Sequence, residues 1–177
     1  MRTTFFISIT IFSLIFAAGC KKSTSPLNDQ QMLFQVDYVN YAWGFQHNGF
    51  IIDGEGYILT YDNPGNWNFA DANFVLTEGQ VVENLQYCTK SGKVPVEELA
   101  KFSAFTESIS LSKISALKNT GNDEGTLQFI CYKTSGAGNY KGTLVRMEGD
   151  FTCENLNFHS RKVASWLREI NTSLHSK

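Results

Sequence analysis

No stretch of the sequence is strongly basic, and no run of positive residues is longer than two, as at Lys21-Lys22. A nucleic-acid-binding surface needs a clustered stripe of Lys and Arg, so that class is excluded. Catalytic signatures are absent as well. There is no Gly-x-Ser-x-Gly elbow and no His-Glu-x-x-His pair, and the acids are too scattered to nominate a carboxylate pair of the glycosidase kind. The glycines of Ser135–Asn139 precede a strand pattern and lack the Gly-Lys-Ser/Thr that opens a helix under a phosphate. Cys88, Cys131 and Cys153 are 43 and 22 residues apart, unlike the close pairs of a zinc site. Asp53, Glu55 and Asp62 do not make a calcium loop, because Tyr57 and Ile58 stand where oxygen ligands are required. Nothing in the pattern calls for a metal or a cofactor. Low-complexity tracts and internal repeats are also missing, which leaves an ordinary folded domain.

What is present begins at the N-terminus. Arg2 precedes an apolar run, Phe5–Ala18, broken by Ser8, Thr10 and Ser13 and ended by Lys21-Lys22. A membrane-spanning helix needs about 20 apolar residues, and this run is the length of a secretory h-region instead. Ala17-Ala18-Gly19 supply the small residues that a signal peptidase accepts, and Cys20 follows at once.

Small residues followed by Cys resemble the lipobox of bacterial lipoproteins. The resemblance covers about the first twenty residues. It implies removal of residues 1–19, diacylglycerol on the Cys20 thiol and acylation of the new amino group. Two or three acyl chains hold a protein firmly to a bilayer, where one does not. Residues 20–30 then form a lipidated tether containing Ser23, Ser25 and Pro26, and residues 31–177 form a single globular domain. Removing residues 1–19 takes away Arg2 and no acid, which moves the formal charge from −2 to −3. The aromatic-rich Asn40–Phe45 stretch adds a likeness to small envelope lipoproteins of Bacteroidota-type bacteria. Two lysines stand after Cys20 where surface-exported members of that group carry an acidic tract. The expected address is therefore the periplasmic face of the outer membrane.

Leu33 to Trp43 alternates, with Phe34, Val36 and Tyr38 on one face, and reads as a strand. Phe50–Ile52 and Tyr57–Tyr61 flank Asp53-Gly54-Glu55-Gly56, a hairpin in which Asp53 hydrogen-bonds the turn backbone. The Asn- and Pro-containing segment 62–73 reads as loop. Thr77 and Gln80 are placed as a capping box for a short helix over about residues 78–87. Pro95 opens a second helix with Leu99, Phe102, Thr106 and Ile109 as its inner stripe. Thr126–Lys133 and Tyr140–Gly149 make a second hairpin. The last element has apolar residues Val163, Trp166, Leu167, Ile170 and Leu174 at helical spacing, with Asn157 or Ser160 as its cap. The expected fold is α+β: an antiparallel sheet of about four to five strands from two hairpins, with helices packed on one side.

Eleven of the 24 aromatic residues fall between Phe34 and Phe74. Trp43, Tyr61 and Trp67 flank loops and are the candidate contacts for a protein partner or a glycan, the alternative being that the aromatics fill a sheet–helix core and cover turns. With Cys20 acylated, an oxidising compartment favours a Cys131–Cys153 disulfide, the alternative being that Cys88, Cys131 and Cys153 are all buried reduced thiols. His47 reads as a solvent-facing turn residue, and His159 as a surface or cap residue. The expected function is a membrane-anchored, non-catalytic binding or accessory domain. The alternatives are a hydrolase pairing Cys88 with His47 or His159, and an enzyme inhibitor presenting loop Asp53–Gly56 or Ser135–Asn139.

Overall fold

The computed structural model describes residues 30–135 and 138–176. The expected signal segment, the expected lipidation site at Cys20 and all of the expected tether but Gln30 lie outside them. Nine strands and four helices follow one another: β1 (Phe34–Asn40), β2 (Gln46–Ile52), β3 (Tyr57–Asp62), β4 (Val75–Thr77), α1 (Glu78–Leu85), β5 (Thr89–Lys93), α2 (Val96–Ser103), α3 (Thr106–Ser110), β6 (Lys118–Asn119), β7 (Thr126–Thr134), β8 (Asn139–Gly149), β9 (Phe151–Glu154) and α4 (Ser160–His175). They build one open antiparallel sheet in the order β5-β3-β2-β1-β7-β8-β9-β6. β4 pairs with the first residues of β8, beside β9, which pairs with Arg146 and Met147 further along.

The two hairpins expected from sequence are β2–β3 and β7–β8. Asp53 accepts the N–H groups of Glu55 and Tyr57, as its turn chemistry requires. The sheet is larger than expected because β4, β5, β6 and β9 join its margins. These strands have two to five residues and are largely polar or exposed, so they carry little alternation and pair only because β3, β8 and, for β6, β9 offer free backbone groups.

The helices do not all lie on one side. Phe34, Val36, Phe50, Ile52 and Phe129 pack against Leu99, Phe102 and Ile109 of α2–α3 and against Val163, Trp166 and Leu167 of α4. Trp166 stacks on Phe102 at 4.2 Å and meets Phe34 edge-on at 5.1 Å. On the opposite face, Ile51, Leu59, Tyr61 and Ile130 are covered by Leu76 and Val81 of β4–α1 and by the loop before them. The Thr77–Gln80 capping box is present. The helix expected from Pro95 onward divides at Ala104-Phe105 into α2 and α3, and its four inner residues remain buried. At α4 neither expected residue caps by side chain. His159 occupies the cap, Asn157 Oδ1 accepts the His159 N–H, and Ser160 Oγ donates to buried Asn155.

Candidate functional site

The sheet face turned away from the long helices holds a row of buried polar side chains. Successive residues of a strand point to opposite faces, so Gln35 and Asp37 of β1 point away from the helix-packed Phe34 and Val36. In register, Asp37 faces Gly49 of β2, and Gly49 faces Tyr61 of β3. A Cβ at Gly49 would collide with the Val36 carbonyl and lie 2.7 Å from the Tyr61 hydroxyl. The missing side chain lets Tyr61 lie across β2, where its hydroxyl donates to Asp37 Oδ1 at 2.5 Å. His47, two residues before Gly49 and on the same face, places Nε2 at 2.8 Å from that oxygen. Gln35 Nε2 donates to the Tyr61 hydroxyl at 3.0 Å and to Asp37 Oδ1 at 3.3 Å. Tyr132 of β7 completes the chain by donating to Gln35 Oε1 at 2.9 Å.

All five residues are buried. Burial, and then the negative charge of Asp37, pushes the Tyr61 phenol well above its ordinary 10.0 and raises Tyr132 in the same way. Both remain neutral donors at neutral pH. Three donors thus converge on Oδ1 of Asp37. Among the described residues none hydrogen-bonds Oδ2, and the Asp37 side chain keeps 12 % exposure.

The roof of this face is the 63–74 loop. Asn63 clasps the His47 main chain, its Oδ1 accepting the His47 N–H at 2.8 Å and its own N–H donating to the His47 carbonyl at 2.7 Å. Buried Asn84 of α1 holds Asn68 in both directions, accepting its N–H at 2.8 Å and donating to its carbonyl at 2.9 Å. Asp71 accepts the N–H groups of Asn73 and Val75, and these bonds hold its carboxyl below the usual range. Pinned at three points, the loop sets Trp67 on Tyr61, with centroids 4.2 Å apart, and Phe69 on His47 at 4.9 Å.

Beneath the roof is a cavity of about 820 Å³, within the size of small-molecule sites, roughly 300–1,000 Å³. Gln35, Asp37, Gln128 and Tyr132 lie along its sheet side and Trp67 and Phe69 overhang it. Exposed Tyr41 and Phe151 stand at its margin. Four carboxylates line it (Asp37, Asp71, Asp123 and Asp150), with no Lys, Arg or His.

The candidate aromatics separate. Tyr61 and Trp67 come together at the cavity. Tyr61 is only 4 % exposed and acts through its hydroxyl on Asp37 rather than by touching a partner. Trp43 is 80 % exposed in the β1–β2 connection between exposed Tyr41 and Phe45, and does not line the cavity. His47 is fully buried in β2 instead of facing solvent in a turn. Its polar neighbours Gln46, Asn48 and Gly49 imitate a turn in sequence. The signal that could have located the site was the period-2 placement of Gln35 and Asp37 in a strand whose other face is apolar.

The Cys131–Cys153 pair does not form, and all three described cysteines are free thiols. Cys131 lies on β7 and packs with the helices, whereas Cys153 lies on β9 and packs on the cavity face. β8 stands between them, and their partners on it, Thr143 and Met147, are four residues apart. Two strand spacings alone are about 9.5 Å, beyond the Cα separation of about 7 Å that a disulfide tolerates. Burial pushes the Cys88 thiol up to about 11, and it donates to the Asn84 carbonyl. His159 stacks on Phe105 at 4.0 Å on the helix side of the sheet, away from Cys88. The Asp53–Gly56 turn is tied down by Gln30 and Val94, with Gly54 and Gly56 buried, which does not suit a protruding plug.

No protein-family model, curated protein or solved structure matches the chain. No helix among the described residues is long and apolar enough to cross a membrane.

Proposed function

We propose that the protein is a lipid-anchored binding domain of a bacterial envelope that holds a small organic ligand in the cavity beneath its 63–74 loop. The cavity is the observation that carries this reading. It combines an apolar overhang, Trp67 and Phe69, with a convergent polar floor, Gln35, Asp37 and Gln128, the usual composition of a ligand site. The high thiol value at Cys88, with no positive group to lower it, favours binding over cysteine chemistry. The anchor rests on Ala17–Cys20, and the domain begins within a few residues of the tether.

Two measurements test the reading. Cys20→Ser should release the protein from the membrane fraction; continued membrane association would remove the anchor. Native mass spectrometry of the protein purified from its own membranes should find a bound small molecule that Trp67→Ala loses. A preparation free of adducts before and after mild detergent extraction would remove the ligand site.

A further inference from the structure

We propose that the ligand of this cavity is an organic ammonium ion whose charged group pairs with Asp37 and whose carbon frame lies against Trp67 and Phe69. The inference rests on the binding reading above and names its ligand class.

The argument is one of charge. Asp37 is buried, and three donors converge on its Oδ1. Burying a charge is costly unless a partner of opposite charge offsets it. Among the described residues the group of basic type beside it is His47. His47 is fully buried, and its Nδ1 has no hydrogen-bond partner among the rings of Phe45, Trp67 and Phe69. An imidazolium would bury a second N–H with nothing to accept it, and that charged donor is far more costly to strand than a lone pair. The neutral imidazole, donating Nε2–H to Asp37, is therefore the form that fits. The negative charge of Asp37 is thus left without a cation, and Asp37 lines the cavity with no hydrogen bond on its Oδ2 among the described residues.

The rest of the lining points the same way. Asp71 and Asp150 have backbone N–H groups on their carboxylates, so they add field without competing for the same contact. Gln128, directly across from Asp37 in the β1–β7 register, lines the cavity with no side-chain hydrogen bond among the described residues. It is available to accept a second ammonium proton. Aromatic faces beside carboxylates attract cations through the ring quadrupole, and Trp67 and Phe69 supply those faces over the floor. An anionic ligand would meet four carboxylates and no cation. A neutral sugar would stack on Trp67 but leave the Asp37 charge unbalanced.

A charge series on one ring tests this by titration calorimetry of the full-length protein in detergent. The probes are phenethylamine, its neutral isostere 2-phenylethanol, and phenylacetate. Phenethylamine is expected to bind at least about tenfold more tightly than the alcohol, and phenylacetate not at all. Asp37→Asn should abolish the difference between amine and alcohol, whereas Glu97→Gln, exposed on α2, should leave it intact. The series on the unaltered protein decides the matter even if Asp37→Asn fails to fold. Equal or tighter binding of the alcohol, or no binding of the amine at millimolar concentration, overturns the ammonium assignment. An endogenous neutral adduct found by native mass spectrometry would leave the cavity reading standing alone.

Discussion

The two faces of the sheet are built from the same strands and do opposite work. The helix face is dry: Phe34, Val36, Phe50 and Phe129 close against α2 and α4, and Trp166 is fixed between Phe102 and Phe34. The other face carries a charged group, a hydrogen-bond chain from Tyr132 to His47, and a cavity that the loop fails to fill. Close packing brings dispersion and hydrophobic free energy, and a ligand site must forgo part of it. The molecule concentrates its stability on one face and leaves the other free to bind. Asp37 and Val36, neighbours in sequence, belong to the two regimes.

The sharpest way to break this contrast is to remove a tryptophan from each face. Trp166→Ala should lower unfolding free energy by about 3–5 kcal/mol, the usual cost of deleting a packed aromatic, as read from urea melts. Trp67→Ala, half-buried over the cavity, should lose about 1 kcal/mol. Equal losses would show that the cavity face is part of the stabilising core. Between these two in size is Tyr61→Phe, expected to lose about 1–3 kcal/mol because Gln35 and Asp37 each lose a partner in a buried setting.

The same tyrosine gives a pH test. Its folded-state value is raised, so its protonated form is held more tightly folded than unfolded. Its contribution is complete below the ordinary tyrosine value of 10.0 and is lost as pH rises from there toward the folded-state value. Unfolding free energy should fall above about pH 10, and the fall should be shallower in Tyr61→Phe. An identical alkaline limb in the two proteins would mean that the Tyr61 proton is not protected by the network. The smallest effect expected is none. Because Cys131 and Cys153 lie on opposite faces, a reductant should leave the melting temperature unchanged. Alkylation after unfolding without reductant should label both. A reductant-sensitive melt would join faces that the fold keeps apart.

Much of the scaffold was legible because it is local. Apolar residues at Val163, Trp166 and Leu167, the Thr77–Gln80 cap and the Asp53–Gly56 turn each declare their structure within a few residues. The edge strands were not, since Thr89–Lys93 is polar throughout and exists as a strand only through the unpaired edge of β3. The site was hardly legible at all. Tyr61 and Trp67 stood out as aromatics, but His47 resembled a turn residue and Asp37 an ordinary strand position.

By itself, then, the sequence determined an N-terminal apolar run ending in small residues before Cys20, two hairpins, an amphipathic last helix and the absence of recognised catalytic motifs. Those are matters of spacing and composition along the chain. Tertiary structure alone decided that Gln35, Asp37, His47, Tyr61 and Tyr132 form one network. It also decided that Asn63 and Asn84 hold a roof above that network, and that Cys131 and Cys153 cannot meet. The physical reason is register. Hydrogen-bonded pairing of β1 with β2 and β7 sets residues up to 97 positions apart side by side, and no local propensity encodes which strand lies beside which.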